Sequence, residues 1–162
     1  AATDAGGFPY TPPGGLINGL KLSCELLLAE GMEAVFARHR RIAEGVRAAV
    51  SGWGMTLCAA RPDWRSDTVS AVRTPEGFDA TRIVTHAAGR YGVAFGVGLG
   101  DVAGKAVRIG HLGLLSDVQA LAGIATAEMV MADLGLPVRL GSGVAAAQEH
   151  YRASAAALAA AA

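Results

Sequence analysis

The chain has 162 residues, with 14 basic and 14 acidic side chains and a net charge of zero. That balance argues against nucleic-acid binding, which draws on a surplus of cations to neutralise phosphates. Hydrophobic residues make up 52% and charged residues 17%, enough for one packed core and too little charge for a largely disordered chain. Cys24 and Cys58 are too few for a disulfide framework, so the expected compartment is reducing and cytoplasmic. The charge-poor stretch at 5–20 is broken by Pro9, Pro12, Pro13 and five glycines, so it reads neither as a membrane span nor as a signal peptide.

Taken in chain order, residues 1–15 read as an extended, turn-rich entry, because the prolines remove donors and bias their neighbours away from helix. A helical pattern follows over 16–51, with Leu20, Cys24, Leu27, Leu28, Val35, Ile42, Val46 and Val50 on the apolar side. Gly31 lies inside this run at a point where it can kink or split it. An unbroken helix of that length would span roughly 50 Å, more than a small domain needs, which suits a link between domains or a subunit contact.

Gly52 and Gly54 stop the run, and a domain over 52–154 begins. Short strands are expected at 55–58, 69–73, 93–95 and 106–110. Asp79 offers a helix cap before Ile83, and Ser116 caps a helix to about Leu134 with Val118, Leu121, Ile124, Ala125 and Met129 on its apolar side. A last helix is expected over 144–154, followed by an alanine-rich tail at 155–162. The order predicts an α+β fold: a small, mainly antiparallel sheet covered by helices and preceded by a long helix.

The segment Gly96-Val97-Gly98-Leu99-Gly100-Asp101-Val102-Ala103-Gly104-Lys105 invites a phosphate-binding reading. It fails as a P-loop, since Leu99 stands where the first glycine belongs and Ala106 follows the lysine. The spacing Gly98-x-Gly100-x-x-Ala103 fits the dinucleotide fingerprint only in letters, because a strand rather than a helix is expected next. The stretch reads as a connection between two strands. His39, His86, His111 and His150 show no metal-ligand spacing and read as surface or capping residues, so no metal is expected.

Arg108 alternates with Val107 and Ile109 and therefore points away from the face those two bury. A guanidinium on a rigid strand is suited to gripping a carboxylate through two parallel hydrogen bonds. The two lysines, Lys21 near a helix start and Lys105 in a glycine-rich turn, are poorly placed for a desolvated Schiff-base amine.

The Tyr10-Thr11-Pro12 entry, the helix bearing Glu30-Gly31-Met32-Glu33-Ala34-Val35-Phe36, and the succession Gly98-Leu99-Gly100 to Lys105-Ala106-Val107-Arg108-Ile109-Gly110-His111 occur together. In that order and spacing the chain resembles the C-terminal part of class V, fold-type I, pyridoxal-phosphate aminotransferases, in the serine–glyoxylate and alanine–glyoxylate branch. The resemblance runs from about Phe8 to about Tyr151. It implies that Arg108 binds the substrate α-carboxylate and that Thr11, with Tyr10 beside it, reaches the cofactor phosphate of a neighbouring subunit in a homodimer. It implies an exchange of an amino group from serine or alanine to glyoxylate. It also implies that the cofactor-bearing lysine belongs to a large domain outside this chain, so that the chain by itself is inactive. The residues alone leave two alternatives, a stand-alone carboxylate-binding module and a dimerisation module built on the long helix.

Overall fold

The computed structural model describes Gly6, Phe8 and residues 10–161, with side chains through Ala155. Much of the expected extended entry, and the last residue of the expected tail, thus lie outside the described residues. Two units form, Ala1–Phe36 and Ala37–Ala162.

In the first unit, α1 (Gly14–Glu30) ends at Gly31, whose N–H donates to the Leu27 carbonyl at 3.0 Å. Gly31 has φ 90° and ψ 130°, a left-handed backbone that L side chains rarely adopt, and so the helical run divides there. The next helix is α2 (Met32–Gly52). None of the residues of α1 is buried, and Leu16, Leu20, Leu26 and Leu28 are all exposed.

The second unit receives α2 from Ala37 onward. Ile42, Val46, Ala49, Val50 and Trp53 recur at helical spacing and are all buried, so one stripe of α2 enters the core. Next come β1 (Thr56–Leu57), β2 (Val69–Arg73), α3 (Thr81–His86), β3 (Gly96–Val97), β4 (Ala106–Gly110), α4 (Asp117–Asp133) and α5 (Ser142–Ala161). The sheet order is β1-β2-β4-β3 and every pairing is antiparallel. Ser70 and Val72 on β2 sit opposite Ile109 and Val107 on β4, and all four are buried. Val72, Val107 and Ile109 pack with residues of α2, α3, α4 and α5 in one cluster, which places helices on a single face of the sheet. The third strand falls just after the expected 93–95. Its place is set by the β4 ladder, where Gly96 pairs with Arg108 and Val97 with Val107.

Ser116 caps α4 as its sequence predicts: its hydroxyl accepts from Gln119 N, while Gln119 Oε1 accepts from Ser116 N. The buried side of α4 is only partly the expected one: Ile124 is buried, and Leu121 and Leu134 pack against the core. Ala120, Ile124, Ala127, Val130 and Met131 are buried, whereas Val118 and Met129 are exposed. This helix is apolar almost all round, so periodicity alone does not choose a face, and contacts with α3 and α5 do. At α3, Asp79 acts one residue earlier than a formal cap, accepting from Thr81 N at 2.9 Å and Thr81 Oγ1 at 2.7 Å.

Two polar clusters tie the helices together. Arg41 on α2 pairs with both carboxylate oxygens of Asp117 and lies over the Tyr151 ring, 5.4 Å from its centroid. Burial, with Asp117 nearby, pushes the Tyr151 phenol up to about 12, and its hydroxyl donates to the Ile42 carbonyl at 3.1 Å. The second cluster centres on Glu128 of α4, which is 2% exposed. Its carboxylate accepts from Trp53 Nε1 (2.9 Å), Gly141 N (2.8 Å), Gly143 N (2.5 Å) and Val144 N (3.1 Å). Two of these donors lie in the first turn of α5 and Gly141 directly precedes it, where the first N–H groups have no partner within the helix.

Glu128→Gln keeps the shape but turns one acceptor into a donor facing these N–H groups. We expect a loss of about 1–3 kcal/mol and a thermal midpoint lower by roughly 3–10 °C. An unchanged melting curve would show that the second acceptor oxygen is dispensable.

Candidate functional site

Arg108 lies on β4 with Ala71 of β2 opposite it on one side and Gly96 of β3 on the other. It is half-buried, between the buried Val107 and Ile109 that hold the strand from below. Its Nε donates to the Val97 carbonyl at 2.8 Å. The bare backbone at 96 gives that pose room, since a Cβ there would crowd the side chain at 3.2 Å from Arg108 Cβ and 3.3 Å from its Nε. With Nε engaged, the Nη1–Nη2 edge has no partner among the described residues and is free to fork onto a carboxylate.

The arginine borders a cavity of about 230 Å³, together with Val69, Ala71, Cys58, Trp64 and Arg65. This is below the volume typical of drug-sized ligands and suits something the size of an amino acid. The glycine-rich stretch closes the β3–β4 connection as expected. Gly98 N donates to the Ala106 carbonyl at 2.9 Å, and a Cβ at Gly98 would fall 2.1 Å from the Val102 carbonyl oxygen, so the loop folds tightly on itself. Lys105 turns back to the Asp101 carbonyl at 3.3 Å and is exposed. Lys21 pairs with Glu25 at 3.0 Å on the surface of α1. Neither amine is desolvated.

Tyr10 and Thr11 belong to the first unit and are both exposed, Tyr10 at 86%.

Among the described residues no three His, Cys, Asp or Glu side chains gather as a metal site, and no helix is long and apolar enough to cross a membrane. Three histidines fill local roles. His39 Nε2 accepts from Gly113 N, His86 bonds Asp133, and His150 lies 3.7 Å from Glu44. His111 departs from the expectation of a surface residue, being 2% exposed. Its Nδ1 is 3.2 Å from the Asp67 carbonyl and its Nε2 is 2.9 Å from Ser70 Oγ. A carbonyl only accepts, so Nδ1 carries the proton and Nε2 accepts from the serine hydroxyl. No spacing in the sequence signals this pair, because β2 and β4 join it across the ladder.

No family model matches the chain. Known proteins do. An L-aspartate–glyoxylate aminotransferase of Paracoccus denitrificans is 72% identical over 151 residues, covering 93% of this chain and 38% of that protein. A serine–glyoxylate aminotransferase of Hyphomicrobium methylovorum is 53% identical over 148 residues, covering 91% and 36%. The crystal structure of pyridoxamine–pyruvate aminotransferase from Mesorhizobium loti superposes with a TM-score of 0.84 at 39% identity, covering 91% of this chain and 38% of that one. The chain is homologous to class V aminotransferases. It spans under two-fifths of the relatives it matches and corresponds to their C-terminal portion. The α+β fold read from the sequence is the fold of this portion of the aminotransferases.

Burial holds the His111 imidazole below its ordinary value, with Arg47 adding to the effect against the opposing Asp67 carbonyl bond. The unfolded chain therefore takes up a proton near pH 6.5 that the folded chain does not, and stability falls as pH drops through about 6.5. We expect the thermal midpoint of the chain to decline between about pH 7.5 and 5.5, and His111→Gln to flatten that decline. A slope that survives the substitution would assign it to other groups.

Proposed function

We propose that this chain is the C-terminal portion of a pyridoxal-phosphate-dependent aminotransferase that passes an amino group to glyoxylate, and that its part is to clamp the amino donor by the α-carboxylate. One observation carries the reading. Arg108, anchored through Nε to the Val97 carbonyl, keeps its Nη1–Nη2 edge unpartnered among the described residues and lines a cavity of amino-acid size. The overall exchange, an amino acid plus glyoxylate giving a 2-oxo acid plus glycine, balances without an oxidant.

Within this reading each residue has a definite task. The Nη1–Nη2 edge of Arg108 takes both carboxylate oxygens, fixing the plane of the substrate and the direction of its Cα–H bond. The buried Val107 and Ile109 keep the strand, and hence the guanidinium, from swinging. Pyridoxal phosphate, when bound, supplies the electron sink that eases loss of the Cα proton. The exposed hydroxyls of Tyr10 and Thr11 fit hydrogen-bond donation to its phosphate edge from a neighbouring subunit. Neither Lys21 nor Lys105 fits the amine that carries the cofactor, since one is ion-paired and both are solvated. The reading therefore assigns that amine to the part of the enzyme that this chain does not span.

A homodimer suits the exposed leucines of α1, which bury nothing within their own unit. The free thiols of Cys24 and Cys58 suit a reducing cytoplasm. The balanced charge suits amino-acid and 2-oxo-acid substrates rather than nucleic acid or a membrane surface. Because serine, alanine and aspartate share the α-carboxylate, Arg108 does not choose among them.

In the complete enzyme, Arg108→Ala should weaken donor binding by about 2–4 kcal/mol, raising the Michaelis constant roughly 30- to 700-fold. The cofactor absorbance should persist. Unaltered steady-state kinetics with every donor would remove Arg108 from the site.

A further inference from the structure

We propose that the cavity between the end of α2 and the edge strand β1 is a site for a small phosphate monoester, held by Arg65 and Arg73. The cavity has a volume of about 600 Å³ and lies within the second unit, walled by Val50, Met55 and Leu57 together with Arg47, Arg65 and Arg73. Arg108 does not line it, so the proposal stands whether or not the aminotransferase reading holds.

The charges around the cavity do not balance. Three guanidinium groups line it and no acidic residue does. Asp67 pairs with Arg47 at 2.7 Å, but the same carboxylate also serves Arg40 at 3.5 Å, one negative charge against two positive ones. Asp63, in the turn Pro62–Trp64 that leads into Arg65, is taken by Arg61 through contacts at 3.0 and 2.8 Å. Arg73 ends β2 opposite Thr56 of β1. Neither Arg65 nor Arg73 has a side-chain hydrogen bond or ion pair among the described residues.

Unmet donors mark the same wall. The Nε groups of Arg47 and Arg65 are both buried without an acceptor. Such orphaned donors are uncommon in folded proteins and point to an ion or ligand. The negative end of the α2 dipole, which would oppose an anion, is already offset. Its last carbonyls, on Ala49, Val50 and Ser51, accept from the backbone N–H groups of Trp53, Met55 and Gly54 at 2.9, 3.1 and 2.9 Å.

The chemistry of the wall selects the occupant. A carboxylate brings one charge in one plane and leaves one of the two cations unmatched. A phosphate monoester brings about two, on three acceptor oxygens that point in different directions. The volume falls within the range of small-molecule sites, and Val50, Met55 and Leu57 offer apolar surface to a small organic body.

The test is calorimetry on the complete protein, incubated with pyridoxal phosphate and freed of excess. Phenyl phosphate is the probe and benzoate its singly charged counterpart. Phenyl phosphate should bind at least about tenfold more tightly than benzoate. Arg65→Gln and Arg73→Gln should each weaken it by about tenfold or more, while Arg108→Ala changes it by less than about twofold. Arg73 is exposed, so its replacement spares the core and keeps the test decisive should Arg65→Gln unfold the chain. Absence of binding, equal affinity for benzoate, or indifference to Arg73→Gln would overturn the proposal. Loss of binding in Arg108→Ala would place the probe beside that arginine and overturn it as well.

Discussion

A single buried carboxylate joins three helices of the second unit. Glu128 comes from the middle of α4, yet its oxygens receive the indole N–H of Trp53 at the end of α2 and three backbone N–H groups at the start of α5. None of these donors carries a formal charge. The carboxylate is held by the number of its hydrogen bonds and by the positive end of the α5 dipole. The arrangement settles two accounts together: the orphan donors of a helix start and the solvation of an ion 2% exposed to solvent. Because α2, α4 and α5 all contribute to the cluster behind the sheet, their mutual placement fixes the surface on which β2 and β4 rest.

That support bears directly on Arg108. A strand buried on one face has little freedom to slip, since a shift of one residue would expose Val107 and Ile109 and bury the arginine. The antiparallel ladder from Val69–Gly110 to Arg73–Ala106 sets where along the sheet the guanidinium emerges. The hydrogen bond to Val97 and the bare backbone of Gly96 then set its rotation. Strength of grip and precision of aim thus have separate sources, charge for the first and sheet register for the second.

Charge around the cavity follows local pairing. Asp67 draws in Arg47 and, at 3.5 Å, Arg40. Burial would raise its carboxyl, but these two arginines outweigh that and hold it below the ordinary carboxylate value. Asp63 is likewise taken up by Arg61. Arg65 and Arg108, which have no carboxylate partner among the described residues, both line the cavity of about 230 Å³. With equal numbers of acids and bases in the whole chain, the positive character of this wall is a matter of placement and not of composition.

How much of this was legible beforehand depends on the range over which each feature is decided. Strands β2 and β4, the Ser116 cap, the break available at Gly31 and the outward direction of Arg108 are written in neighbouring residues, because alternation, capping and backbone freedom act over a few positions. The resemblance to class V aminotransferases was legible for a related reason, since ordered motifs survive as sequence. The buried face of α4 is only partly legible, because its apolar residues encircle the helix. Glu128 with the start of α5 and His111 with Ser70 are not legible, because they join groups 13 to 41 positions apart that only folding brings within reach. Sequence by itself determined which side chains could do the chemistry and which local segments would form. The tertiary structure decided which of them were neutralised, which were buried and which were left free to bind, because desolvation and pairing are set by neighbours in space and not by neighbours along the chain.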